Sequence, residues 1–134
     1  MIRIAIDLDD TLWKAVIDEE CGGPYGVGSQ CACGVWLKQV VDEDLALLIE
    51  EMIPLVQMKL AEIFIWSAGG EKYVEEWMTR FRPHWKRNIK VIAKEGGQKI
   101  DVTIDDQAIT LGKLNLMVIR EHADHWQMDK AVQP

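Results

Sequence analysis

Three carboxylates stand together near the beginning of the chain, at Asp7, Asp9 and Asp10. They follow residues 2–6, a run that is apolar apart from Arg3, which is typical of a buried strand in a parallel sheet. In open α/β sheets, the carboxyl ends of the strands face the crevice where ligands bind. Carboxylates held this closely repel one another, and their oxygens suit a hard cation such as Mg2+. The pattern therefore predicts metal-assisted chemistry at the end of the first strand.

Two further apolar runs also end in polar side chains. Ser67 follows residues 62–66, and the pair Asp105 and Asp106 follows residues 101–104. The carboxyl ends of parallel strands meet at one edge of a sheet. We therefore expect these side chains to lie beside Asp7 and Asp9, although their sequence separation is large.

The order of these groups resembles a known superfamily. The string Asp7-Leu8-Asp9-Asp10-Thr11 resembles the first motif, DxDxT, of the haloacid dehalogenase-like (HAD-like) phosphatases. Ser67 resembles the second motif of that superfamily, and the pair Asp105-Asp106 resembles the fourth. The position of Trp13, directly after Thr11 and Leu12, resembles the magnesium-dependent phosphatase branch of this superfamily. The resemblance extends from residue 1 to about residue 120, and it implies no catalytic role for Asp10.

The resemblance implies a division of labour among these residues. Asp7 is expected to attack phosphorus and form an aspartyl-phosphate, which splits one difficult step into two. Asp9 is expected to protonate the leaving oxygen and then to activate water, while Ser67 donates a hydrogen bond to a phosphoryl oxygen. Mg2+ is expected to bind the side chains of Asp7 and Asp105 and the backbone carbonyl of Asp9. Asp106 is expected to bind the ion directly or through water.

The same resemblance requires a cation near Asp7, and two lysines are candidates. Lys94 follows the third predicted strand, at the edge where the acids gather. Lys99 precedes the fourth strand, which places it toward the opposite edge unless Gly96 and Gly97 turn it back. Strand polarity favours Lys94 as the catalytic lysine, with Lys99 as the alternative.

The elements that must position these groups alternate between strand and helix. The spacing predicts a helix from about Glu43 with Asp42 as its N-cap, a kink or end near Met52 because of Pro54, and a second helix over 71–81. Strands are predicted at 2–6, 62–67, 89–93, 101–106 and 114–120. The chain is thus predicted to be a single α/β domain, residues 1–134, with a doubly wound, parallel, five-stranded Rossmann-like sheet in a three-layer α/β/α arrangement. The expected sheet order is five-four-one-two-three.

The glycine-rich segment at about 13–36 is predicted to be a flap, in the form of a loose hairpin, that is too short for a separate cap domain. Trp13 and Trp36 flank it and could line a substrate pocket. Cys21, Cys31 and Cys33 lack the Cys-x2-Cys spacing and a fourth ligand, which His84 would have to supply. We expect that these cysteines do not hold zinc.

Composition limits the partners and the compartment. The net charge of -7 disfavours a nucleic-acid partner, and no apolar stretch approaches the ~20 residues needed to span a bilayer. The absence of a signal-peptide pattern and an odd number of cysteines, three, are typical of a cytoplasmic protein. A small flap leaves the site open, which favours either a phosphoprotein or a small phosphorylated metabolite enclosed by homo-oligomerisation.

Mg2+-dependent hydrolysis of phosphomonoesters is therefore the leading hypothesis. Phosphotransfer to an acceptor other than water would use the same residues. A non-catalytic binding module of the same fold would be expected to lack at least one of the catalytic carboxylates, and none is missing here. Dehalogenation is disfavoured because Asp9 supplies the acid that phosphate chemistry needs.

Overall fold

The fold is given by a computed structural model that describes residues 1–17 and 37–120. The strands are β1 (Ile2–Asp7), β2 (Trp13–Ile17), β3 (Leu37–Val41), β4 (Ala61–Trp66), β5 (Ile89–Val91), β6 (Ile100–Asp105) and β7 (Gly112–Met117). The helices are α1 (Glu43–Gln57), α2 (Glu71–Phe81) and a 3₁₀ helix (Pro83–Arg87). Neither α-helix among these residues is long and apolar enough to cross a bilayer.

A five-stranded parallel sheet forms the centre of the molecule, in the order β5-β4-β1-β6-β7. This is the predicted order of the five strands, so the α/β class and the parallel sheet are confirmed. The register explains why polar residues meet at one edge. Asp7 pairs with Trp66 in β4, and Ile6 pairs with Ile104 in β6. Asp7 therefore lies level with the ends of both neighbouring strands.

The main core lies between the sheet and both α-helices. Ile6, Ile63 and Ile65 on the sheet pack in one cluster with Ile49 of α1 and Val74 of α2. The opposite face carries a smaller cluster, built on Ala5, Phe64, Trp66 and Ile100.

The predicted three-layer arrangement is therefore wrong for the described residues, in which both α-helices cover a single face. The connections from β1 to β4 and from β4 to β5 step toward the same side of the sheet, and right-handed crossovers then place both helices on one face. On the other side of β1, residues 106–111 join β6 to β7 without a helix.

The first helix begins as predicted and ends later. The Asp42 side chain accepts a hydrogen bond from the Leu45 amide over 3.1 Å, which confirms the N-cap. The predicted end near Met52 is wrong, because α1 continues through Pro54 to Gln57, and the alternative of a kink there stays a prediction. Proline in the last turn removes one backbone hydrogen bond, and packing of the apolar face against the sheet keeps the turn helical.

The flap begins as an antiparallel hairpin, with pairs from Trp13 and Val41 through Ile17 and Leu37. Its returning strand lies after residue 36, so the insertion extends beyond the predicted boundary of 13–36. Trp36 and all three cysteines fall outside the described residues, and the prediction that they hold no zinc stays a prediction.

Candidate active site at the carboxyl edge of the sheet

Three carboxylates converge where β1 and β6 end. Asp7 closes β1, Asp105 closes the neighbouring β6, and both are buried. Asp106 follows and is half-buried. One oxygen from each of the three side chains lies within 4.8 Å of the others. The parallel register thus brings residue 7 beside residues 105 and 106, although about 100 positions separate it from that pair.

Lys94 is the cation at this cluster. Its Nζ lies 2.9 Å from Oδ1 of Asp7 and 2.6 Å from Oδ2 of Asp105, and its side chain is largely buried. Lys99 lies at the other end of the sheet, where its backbone carbonyl accepts a bond from Arg3 at the start of β1. Strand polarity separates the two lysines in the way that the sequence predicts.

Among the described residues, Lys94 is the one cation that bonds these acids, two of which are buried and one of which is half-buried. Burial is the main cause that raises the pKa of Asp7 to about 6, with repulsion from Asp105 adding to it and Lys94 opposing it. Burial also raises the pKa of Asp106 to about 7, together with a hydrogen bond to Asp105 and the charge of Asp7. For Lys94, burial favours the neutral amine, but its bonds to Asp105 and Asp7 outweigh burial and raise its pKa.

This donor set fits a hard divalent cation. All three converging groups are carboxylates, which Mg2+ prefers, and within residues 1–17 and 37–120 no sulfur or imidazole ligand joins them. Burial is the main cause of the raised pKa values of Asp7 and Asp106, and a bound cation would favour the charged forms of both carboxylates. The Asp9 carboxylate does not join this cluster, so its predicted part in metal binding depends on its backbone carbonyl alone.

The Asp9 side chain points instead to the segment that follows β4. Ser67 Oγ donates to Oδ2 of Asp9 over 3.1 Å, and the Tyr73 hydroxyl donates to Oδ1 over 2.6 Å. The Gly69 amide in turn donates to Ser67 Oγ over 3.0 Å. Asp9 and Ser67 therefore lie together, as predicted, whereas no local pattern in the sequence indicated a role for Tyr73 at this site.

Thr11 connects the two halves of the acidic cluster. Its buried hydroxyl lies 3.2 Å from Oδ2 of Asp7 and 3.4 Å from Oδ1 of Asp106. A single hydroxyl proton can serve one of these oxygens at a time. Thr11 thus supports the orientation of the acids without balancing their charge.

Arg120 is a further residue that the sequence did not reveal. Its Nη1 lies 2.7 Å from Oδ2 of Asp42, its Nε donates to the Asp10 carbonyl over 2.9 Å, and Nη2 donates to the carbonyl of Thr11. The loop after β1 is therefore tied to the N-cap of α1. Asp10 has a φ of 60°, a left-handed conformation that needs such support. Because 109 positions separate Arg120 from Thr11, no local pattern could have revealed this contact.

Trp13 packs against the aromatic side chains of α2. It packs against Phe81 with ring centroids 4.7 Å apart and against Trp77 at 6.2 Å, at the border of the main core. These contacts bury the ring only in part, and the role of Trp13 in lining a substrate pocket stays a prediction.

The fold and the site together define an α/β protein with a Rossmann-like parallel sheet and a lysine-bridged acidic cluster at its carboxyl edge. Scans against protein-family models, curated proteins and solved structures give no match to this chain. The chemistry of the site must therefore carry any functional assignment.

Proposed function

We propose that this protein is a Mg2+-dependent phosphomonoester hydrolase of the HAD-like type, acting through an aspartyl-phosphate on Asp7. The observation that carries the proposal is the juxtaposition of Asp7, Asp105 and Lys94, with Asp9 and Ser67 on the neighbouring loop segments. A nucleophile, a cation and an acid–base group at one sheet edge are the parts that this reaction needs.

Asp7 is the proposed nucleophile because it ends the central strand beside the cationic group. An anionic carboxylate must approach an anionic phosphate, so nearby positive charge lowers the barrier. Lys94 supplies part of that charge through its 2.9 Å contact with Oδ1 of Asp7. When bound by Asp7, Asp105 and Asp106, Mg2+ would supply the remaining neutralisation and orient the phosphoryl oxygens.

Asp9 is the proposed acid and base. It lies two residues after the nucleophile, and its carboxylate is held outside the metal-ligand cluster by Ser67 and Tyr73. This separation leaves Asp9 available to protonate the leaving oxygen in the first step and to take a proton from water in the second. Ser67, at the end of β4, is the proposed donor to a phosphoryl oxygen.

The test is turnover of a panel of phosphate esters with Mg2+ and in excess chelator. We expect hydrolysis of at least one ester with Mg2+ and none in chelator, and calcium should substitute poorly because its coordination is larger and looser. Lys94→Met should lower kcat/KM by about 100-fold or more, whereas Lys99→Met should retain wild-type activity. A wild-type protein that is inert on every ester, or fully active in chelator, would overturn the proposal.

A further inference from the structure

Tyr73 lies near the beginning of α2 and reaches the loop after β1. Its hydroxyl donates to Oδ1 of Asp9 over 2.6 Å, a length typical of a bond from a hydroxyl to a charged carboxylate. Ser67 donates to the other oxygen over 3.1 Å. Two donors therefore fix the orientation of the Asp9 carboxylate.

The two donors differ in what substrate binding demands of them. A serine hydroxyl can donate one hydrogen bond at a time. Here Ser67 donates its hydrogen bond to Asp9 and accepts one from the Gly69 amide. In the proposed reaction, the Ser67 hydroxyl donates this hydrogen bond to a phosphoryl oxygen instead. The bond from Ser67 to Asp9 must then break, whereas no step of the reaction requires Tyr73 to release Asp9.

We propose that Tyr73 is the positioning residue for Asp9. It holds the carboxyl group toward the leaving oxygen, and later toward the attacking water, after Ser67 has turned to the phosphoryl group. This inference rests on the proposed function, because it takes Asp9 as the acid and base. Tyr73 itself exchanges no proton with the substrate.

The surroundings of Tyr73 suit a fixed support. The helix that carries it is anchored to the core by Val74, Trp77 and Met78, all of which are buried. Gly69 leaves the space that the ring needs, since a Cβ at that position would lie 2.9 Å from Cδ1 of Tyr73. A rigid helix and a glycine in contact with the ring together limit where the hydroxyl can lie.

The experiment removes the hydroxyl and varies the leaving group. Tyr73→Phe keeps the ring beside Gly69 and loses only the donor. Thr79→Val is the matched control, because it also removes a hydroxyl from this helix. The Thr79 hydroxyl donates to the Glu75 carbonyl and not to Asp9. Each protein is assayed with Mg2+ on an activated aryl phosphate and on a primary alkyl phosphate, and thermal unfolding is measured alongside.

We expect kcat/KM of Tyr73→Phe to fall about tenfold or more on the alkyl ester and less than about threefold on the aryl ester, whose leaving oxygen needs little protonation. The kcat on the aryl ester should also fall, with aspartyl-phosphate detectable by intact mass, because water activation is slowed. In an Asp9→Asn background, Tyr73→Phe should have no further effect, since the two residues act as one unit. Thr79→Val should match the wild type.

Equal losses on both esters, or a full additional loss in the Asp9→Asn background, would mean that Tyr73 only supports the fold and would overturn the inference. Unchanged kinetics of Tyr73→Phe would overturn it as well. These outcomes leave the proposed function standing, provided that the wild type turns over an ester. An inert wild type would overturn the proposed function and, with it, this inference.

Discussion

The two edges of the central sheet both carry clustered charges, but only one edge balances them. At the amino edge, Glu62 lies 2.8 Å from Lys90 and 3.7 Å from Arg3. At the same edge, Asp101 accepts a hydrogen bond from the Arg3 backbone amide, and its Oδ1 lies 3.3 Å from Nζ of Lys113. Among the described residues of the carboxyl edge, Lys94 alone bridges the buried Asp7 and Asp105, with Asp106 beside them.

The pKa directions of the two edges differ accordingly. The hydrogen bond from Lys90 is the main cause that lowers the pKa of Glu62, and the bond from the Arg3 backbone amide is the main cause that lowers the pKa of Asp101. At the carboxyl edge, burial raises the pKa of Asp7 and of Asp106. Acidic residues alone therefore do not mark a site, whereas buried acids whose pKa values are raised are candidates for one.

The largest difference between the two edges is expected when one acid is neutralised at each of them. Asp7→Asn removes the proposed attacking oxygen, and we expect turnover to fall by about 1,000-fold or more, with no phosphoryl adduct in the intact mass. Glu62→Gln removes an equal charge from the amino edge and should leave turnover unchanged. Equal effects of the two substitutions would remove the distinction between the edges.

Metal binding should follow the same division. Mg2+ binds the folded state, so saturating Mg2+ should raise Tm by several degrees, as mass action predicts for a ligand well above its Kd. Asp105→Asn should abolish this shift, whereas Asp101→Asn, at the other end of the same strand, should keep it. A shift that survives Asp105→Asn would place the cation elsewhere on the protein.

Basic residues at the two edges should differ in their contribution to stability. Arg120→Met leaves Asp42 and two backbone carbonyls without their buried partner, and it should lower the free energy of unfolding by about 2 kcal/mol. The Asp42 pair is best compared with the exposed pair of Lys90 and Glu62, where Lys90→Met should cost at most about 0.5 kcal/mol. Denaturant titration of both variants gives the comparison, and similar costs would contradict it.

The smallest expected effect is a gain. The pKa of Asp106 is about 7 in the metal-free folded protein against 3.8 as a reference, so the folded state binds its proton more tightly. The free energy of unfolding of the metal-free protein should therefore fall as pH rises from about 4 to 7. Asp106→Asn removes this penalty and should stabilise the metal-free protein at pH 7 by about 1 kcal/mol, since the partly exposed group is screened.

The control for this gain is its pH dependence. The difference between Asp106→Asn and the wild type should shrink toward zero near pH 4, where Asp106 is protonated in the folded state. Asp7 continues to titrate in the variant, so some pH dependence should remain. A gain that is the same at pH 4 and pH 7 would indicate a cause other than charge.

Much of the fold was predictable because it depends on local patterns and chain direction. Apolar runs such as residues 62–66 predicted strands, and each polar residue that closes a run marked the carboxyl end of its strand. The N-cap at Asp42 and the helix Glu71–Phe81 follow from residue types a few positions apart. The later end of α1 was missed because packing outweighed the local signal of Pro54.

The assignment of these acids to one edge of the sheet therefore needed no more than the order and direction of the strands. Parallel strands present their carboxyl ends at one edge, so Asp7, Ser67 and Asp105 could be assigned to the same edge, and Lys94 preferred to Lys99, by strand direction alone.

The side chains that hold those acids in place, and the face of the sheet that the helices cover, became visible once the elements were packed together. Tyr73 reaches Asp9 across 64 positions, and Arg120 reaches Asp10 across 110. Such contacts depend on how separate elements pack, and a hydrogen bond between distant side chains leaves no periodic or local trace in the sequence. The physical reason is that chain direction is a property of each strand, whereas side-chain partnership is a property of the assembled fold.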